Sequence, residues 1–249
     1  MESRLPLEIL TQPDDTSCGP TCLHAVYRYF GDSIALGEVL GQTERLDNGG
    51  TLAVLLGCHA LSRGYRVTIF SYNLLVFDPS WFSPEVNLVD KLRQVSHGKP
   101  KRRLQAALRA YIRFLEAGGR VRFEDLNSAL IRRYLRRSIP ILTGLSATYL
   151  YRSKREIEMP GGELDYDDIR GSPQGHFVVL GGYDRRQRLV RVADPWGPTL
   201  PPRARKYWVG IDTLVNAILL GVLTYDANLL LIEPKRERPA QHEPHHRGQ

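Results

Sequence analysis

Apolar residues recur along this chain in two rhythms: spacings of three and four, which mark one face of a helix, and short runs or alternations, which mark strands. After Gln12-Pro-Asp-Asp-Thr-Ser-Cys-Gly-Pro, the residues Cys22, Ala25, Val26 and Tyr29 follow the first rhythm. Asp14, Thr16 and Ser17 offer N-caps, Pro20 suits a first turn, and Gly31 marks the end. The pattern predicts a helix from about Cys18 with one buried stripe. Leu52, Leu55, Leu56, His59 and Ala60 predict a second helix between Thr51 and Arg63, stopped by Gly64. Alternation from Tyr65 to Tyr72 reads as a strand. Residues 101–116 are amphipathic: Leu104, Leu108, Tyr111, Ile112 and Leu115 share a face opposite Arg102, Arg109 and Arg113. A further helix is expected over about 124–137, and the apolar run Ile141 to Tyr151 reads as a buried strand.

The stretch 152–175 is charged and rich in Gly and Pro, and reads as a long loop, either functional or a plain surface insertion. Strands His176 to Tyr183 and Leu189 to Ala193 follow, joined by the polar Asp184-Arg-Arg-Gln turn of a hairpin. Asp212 is placed as the N-cap of a helix running to about Gly221, before a last strand from Ala227 to Ile232. From Lys235 the sequence KRERPAQHEPHHRGQ has no apolar period, so 235–249 reads as a disordered tail. There is no internal repeat. Helices early and an antiparallel sheet late predict an α+β fold.

The chain has 249 residues, 42% of them hydrophobic and 24% charged, which suits a globular protein of one large or two small domains and excludes fibrous and mostly disordered classes. The net charge of +7 is local. Residues 97–137 hold twelve basic and three acidic side chains, a balance of +9, and the remainder of the chain carries −2. Any attraction to an acidic partner therefore belongs to 97–137. A solvated face explains these arginines better than any partner does, and the arginine face of 101–116 carries no interleaved aromatic residues as a single-stranded nucleic-acid platform requires. The segment Leu214 to Ile232 is broken by Asn216, Asp226 and Asn228, so no membrane span is expected. Three cysteines (Cys18, Cys22, Cys58) and an N-terminus without a secretion signal point to a reducing, cytoplasmic setting.

A cysteine at a helix start is favoured as thiolate by the helix dipole and unpaired N–H groups, although a lone one is more often structural. Nucleophilic catalysis also needs a base and a group orienting that base. Of the seven histidines, His242, His245 and His246 lie in the tail, His24 and His59 on helix faces, and His97 beside the basic segment. His176 opens an apolar strand directly after Gly175. The hairpin would bring Asp194, in Asp194-Pro195-Trp196-Gly197, alongside it. Cys22 with His24 or His59 lacks the paired spacing of zinc ligands, so no metal or other cofactor is expected, and Cys22 and Cys58 read as buried helix residues.

The stretch QPDDTSCGPTC, with GHFVVL and ADPWG following in order, resembles the bacteriocin-processing (double-glycine-leader) cysteine peptidases of papain-like fold. With no span and no GxxxxGK[ST] loop, the resemblance is to their stand-alone, soluble relatives. It implies Cys18 as nucleophile, His176 as general acid/base, Asp194 as the residue orienting it, and Gln12 with the Cys18 backbone N–H as oxyanion donors. The expected organisation is one papain-like domain over 1–234, with insertions at about 97–123 and 152–175. The expected activity is hydrolysis of an amide in a peptide or protein substrate through a thioester. Acyl transfer, as in transglutaminase- or phytochelatin-synthase-like enzymes, and non-catalytic peptide binding are the alternatives.

Overall fold

A computed structural model describes residues 2–47, 49–96, 102–159, 164–196 and 205–235. His97 and the expected tail beyond Lys235 lie outside them. In chain order the elements are β1 (Glu2–Arg4), α1 (Cys18–Tyr29), α2 (Leu36–Gln42), α3 (Ala53–Ser62), β2 (Arg66–Ser71), α4 (Leu88–Ser96), α5 (Arg102–Glu116), β3 (Arg120–Arg122) and α6 (Ser128–Leu135). Then follow β4 (Ile141–Ser146), α7 (Ala147–Tyr151), β5 (Glu156–Glu158), β6 (Leu164–Tyr166), β7 (Gly175–Asp184), β8 (Leu189–Ala193), β9 (Lys206–Gly210), α8 (Ile211–Leu220) and β10 (Asn228–Glu233). Short 3-10 turns occur at Pro79–Phe82 and Gly221–Thr224.

One sheet runs β3-β2-β10-β4-β7-β8-β9, with β1 also paired to β7. Every pairing in it is antiparallel except β2 with β3. The fold is thus α+β, but the sheet recruits its strands from the whole chain and not from the late part alone. β7 is central: it pairs with β4 over residues 175–180 and with β8 on its other side, and its register shifts between Leu180 and Gly182. The core joins Leu23 and Tyr27 of α1, Leu56 of α3, Leu108 and Phe114 of α5, Ile69 and Phe70 of β2, Leu142 of β4 and Val178 of β7. Among the described residues no helix is long and apolar enough to cross a membrane.

Several expected elements are redrawn by local hydrogen bonding. The run from Ile141 ends as a strand at Ser146, whose hydroxyl accepts the Tyr149 N–H at 3.3 Å and starts α7; apolar runs do not distinguish a buried strand from a buried helix. The helix expected from about 124 begins at Ser128, because the Asn127 carboxamide oxygen accepts the N–H groups of Ala129 and Leu130. The N-cap of α8 is Gly210, and Asp212 instead sits in the first turn, paired with Arg188 at 2.9 Å. α1 is buried on every side from Gly19 to Tyr27, so it has no single stripe, and Tyr29 is only partly buried. The segment 152–175 is not a plain loop: β5 and β6 pair within it. β1, α2, α4 and β9 were not signalled by the periodicity. α5 packs on α3 and α4 through Leu104, Leu108 and Tyr111, and Arg102, Arg109 and Arg113 are exposed.

Candidate active site

The segment leading to α1 is pinned before the helix begins. Leu5, Leu7 and Ile9 are buried at alternate positions, and the Gln12 N–H donates to the Pro195 carbonyl at 2.8 Å. The Asp14 carboxylate then accepts the Thr16 N–H at 2.9 Å and the Thr16 hydroxyl at 2.7 Å, a side-chain turn that reverses the chain. Ser17 occupies the N-cap without a side-chain cap, and its carbonyl accepts the Thr21 N–H at 3.0 Å. Cys18 is thus the first helical residue, half-buried, with no acidic side chain in its turn to oppose the helix dipole. A Cβ on Gly19 would lie 2.7 Å from Thr51 Cγ2 and 3.2 Å from a ring carbon of Phe177. Only a residue without one lets α1 seat this closely beside the His176 strand.

His176 lies opposite Leu145 in the β4–β7 register, and the β7–β8 hairpin carries Asp194 back to it. His176 Nε2 donates to Asp194 Oδ1 at 2.9 Å, with side chains only 1% and 5% exposed. Asp194 Oδ1 also accepts the Trp196 N–H at 2.9 Å, and Oδ2 accepts the hydroxyls of Tyr151 and Tyr207 at 2.6 Å each. The Trp196 ring stands edge-on to His176 with centroids 4.9 Å apart. Since Nε2 is committed to Asp194, Nδ1 is the ring nitrogen left free to serve the Cys18 side chain, whose field reaches the ring.

Burial alone would strip His176 of its proton, but the Asp194 charge and hydrogen bond, with the Cys18 side chain, reverse this and hold the imidazolium well above the ordinary histidine range. Burial pushes Asp194 up in turn. His176 and the two tyrosine hydroxyls outweigh it and keep the carboxyl below its usual range. The pair is therefore an imidazolium and a carboxylate across the neutral range.

Gln12 occupies the neighbouring turn: its Nε2 donates to the Asp14 carbonyl at 2.9 Å, and its Oε1 is buried without a hydrogen-bond partner. Its amide thus keeps one N–H beyond that bond. Cys22 faces inward, its thiol donating to the Phe177 carbonyl at 3.2 Å, and Cys58 lies against the Ala110 carbonyl at 3.8 Å. His59 is engaged by the Tyr27 hydroxyl at 2.8 Å and by Gln42, and His24 is buried in α1. Among the described residues no three His, Cys, Asp or Glu side chains cluster as metal ligands. In the basic segment Arg113 pairs with Glu44, Arg133 and Arg122 with Glu124, and Arg137 with Glu233, so an acidic partner would compete with these internal pairs. Tyr151 and Tyr207 carry no sequence signal of their role. Tyr151 ends an apolar run, and Tyr207 is an ordinary strand aromatic.

A thiol at a helix start, an imidazole and a buried carboxylate thus lie close together on a mostly antiparallel sheet, and the fold is papain-like. A Bacillus anthracis protein described as a C39-like peptidase superposes with a TM-score of 0.50 at 12% identity, covering 96% of this chain and 100% of that one. Xylellain, a cysteine protease from Xylella fastidiosa, aligns over 94% of this chain and 86% of its own at 15% identity with a TM-score of 0.43. Residues 105–213 match the Peptidase_C39 like family, a span that includes His176 and Asp194 and begins after Gln12 and Cys18. The chain thus resembles the C39-like cysteine peptidases. No curated protein matches it in sequence.

Proposed function

We propose that the chain is a thiol hydrolase cleaving an amide bond in a peptide or protein substrate. The observation that carries this reading is the buried His176–Asp194 pair, with the Cys18 side chain at the start of α1 near enough to act on the imidazole electrostatically. In the proposed cycle the Cys18 thiolate attacks the scissile carbonyl, and the oxyanion that forms accepts N–H groups from Gln12 and the Cys18 backbone. The C–N bond then breaks as His176 gives its proton to the departing amine, leaving a thioester on Cys18. His176, now neutral, takes a proton from water, which attacks the thioester and releases the acid. Asp194 keeps the imidazole in one tautomer throughout and does not itself change protonation. Three free cysteines support a reducing, cytoplasmic site of action.

The test is incubation with a peptide library, followed by mass spectrometry of products and of the acid-quenched protein. We expect cleaved peptides and an acyl adduct mapping to Cys18. Cys18→Ala should fold as the parent protein does and lose both. Full turnover by Cys18→Ala would overturn the assignment.

A further inference from the structure

The Asp194 carboxylate is held more fully than orientation of one imidazole requires. Its two oxygens accept four donors: His176 Nε2 and the Trp196 N–H on Oδ1, the Tyr151 and Tyr207 hydroxyls on Oδ2. The tyrosines come from different elements, α7 and β9, and both approach the oxygen that His176 does not use. The Tyr151 ring also stands edge-on to Trp196 at 5.6 Å and lies 6.0 Å from the His176 ring, closing the pair off on that side.

We infer that Tyr151 and Tyr207 are positioning residues for the reaction proposed above, fixing the Asp194 carboxylate and drawing off part of its charge, so that they set how tightly His176 holds its proton. The inference rests on that reading of Cys18 and His176. A carboxylate whose outer oxygen is already neutralised by two O–H donors is a weaker acceptor at its inner oxygen, and the imidazolium it faces is more readily deprotonated. That matters because the imidazolium must surrender its proton to the leaving amine; a bare carboxylate would hold it too firmly. The other titratable groups whose fields reach the pair are Cys18 and Cys22 on α1 and Glu156 on β5. None of these donates to Asp194 Oδ2, so the tyrosines act there alone among the described contacts.

The test reads the imidazolium directly. Iodoacetate is an anion, so its alkylation of Cys18 is accelerated by a neighbouring imidazolium and slows on the alkaline side as His176 loses its proton. The rate is followed by peptide mapping from about pH 5 to about pH 10 in the parent protein, His176→Ala, Tyr151→Phe, Tyr207→Phe and the double variant. We expect the alkaline midpoint to rise by at least about 0.5 pH unit in each single variant and further in the double, with kcat lowered and KM nearly unchanged. Protein labelled throughout with 3-fluorotyrosine, whose more acidic hydroxyl donates more strongly, should shift the midpoint down without any change of packing, and keeps the test decisive if a Phe variant does not fold. An alkaline limb present in the parent, absent in His176→Ala, and unmoved by both Phe variants and by fluorotyrosine would overturn this inference alone. Absence of the limb from the parent protein would overturn the proposed function and this inference with it.

Discussion

The three thiols of this chain differ because of where each side chain sits. Burial pushes the Cys22 thiol far up, with the nearby Cys18 and Asp194 adding to it, and burial raises Cys58 to about 11. Cys18 and Cys58 are both half-exposed, but of the two only Cys18 stands at a helix start and acts on the His176 imidazole. In the folded protein at slightly acidic pH, an uncharged electrophile should therefore label Cys18 much faster than either neighbour, and His176→Ala should remove most of that preference; equal labelling of all three would contradict the site. Asp194→Asn should lower turnover by orders of magnitude with the sheet intact, as judged by circular dichroism, because the amide no longer compensates an imidazolium. For Gln12→Ala the expected loss is roughly 10²–10³ in the acylation rate with little change in KM. A change confined to KM would make Gln12 a binding residue.

At the scale of elements, the site depends on how closely α1 approaches β7 and on what borders the cleft. Gly19→Ala introduces a methyl 2.7 Å from Thr51 Cγ2 and should lower both stability and turnover, by an amount of about 1–3 kcal/mol typical of overpacking. Thermal unfolding with and without a covalent Cys18 inhibitor measures it, and an unchanged Tm would show that α1 can shift at no cost. The β5–β6 hairpin is a different kind of border. It carries Glu156, whose carboxyl is pushed up by burial and by Asp15 and lowered by His176, so the hairpin reaches the neighbourhood of the His176–Asp194 pair. Replacing the chain between Ser153 and Gly171 by a Gly/Ser bridge should leave Cys18 labelling by a very small electrophile nearly unchanged. Turnover of a peptide should change at least tenfold, ~1.4 kcal/mol, if the hairpin positions substrate. Were both readouts to fail together, the hairpin would be a brace for the His176 strand instead.

For the molecule as a whole, one buried acid makes stability depend on pH in an unusual direction. Asp226 is buried between β10 and the start of α3, where its Oδ1 accepts the Ala53 N–H at 3.0 Å and lies 3.5 Å from the Asn228 amide. Burial raises its pKa to about 7 against these bonds and the Arg103 charge. A carboxyl raised on folding binds its proton more tightly in the native state, so its contribution is favourable at low pH and is lost as pH climbs from the unfolded carboxylate value through about 7. The His176–Asp194 pair behaves otherwise. Asp194, lowered on folding, loses its contribution as pH falls from the ordinary carboxylate value through its native value, and His176, raised, loses its own as pH rises from the ordinary histidine value through its native value. Asp226→Asn keeps an acceptor for Ala53 and removes the titration, so the variant should gain stability relative to the parent between about pH 5 and about pH 8, by at most ~1.4 kcal/mol per pH unit. Urea unfolding at the two pH values checks this, and a difference that does not vary with pH would show Asp226 to be uncharged or ionised in both states alike.

What the amino-acid order by itself determined was local. The start of α1 at Cys18, α3 ending before Gly64, α5 with its exposed arginines and the hairpin that carries Asp194 to His176 all depend on periodicity, caps and turns within a few residues of each other. These signals act over a turn of helix or a pair of strands, so they were legible without the fold. The boundaries they missed were decided by side-chain caps, at Asn127 and Ser146, that compete with the longer apolar patterns around them. Tertiary structure alone decided what meets across the chain: that β2 and β3 pair in parallel, that Cys18 on α1 comes near the imidazole on β7, that Asp226 caps α3, and that Tyr151 and Tyr207 converge on one carboxylate oxygen. Those contacts follow from the order of strands in the sheet and the close seating of α1 beside it. No local rhythm encodes them, because each partner's environment is supplied by residues far away in the sequence.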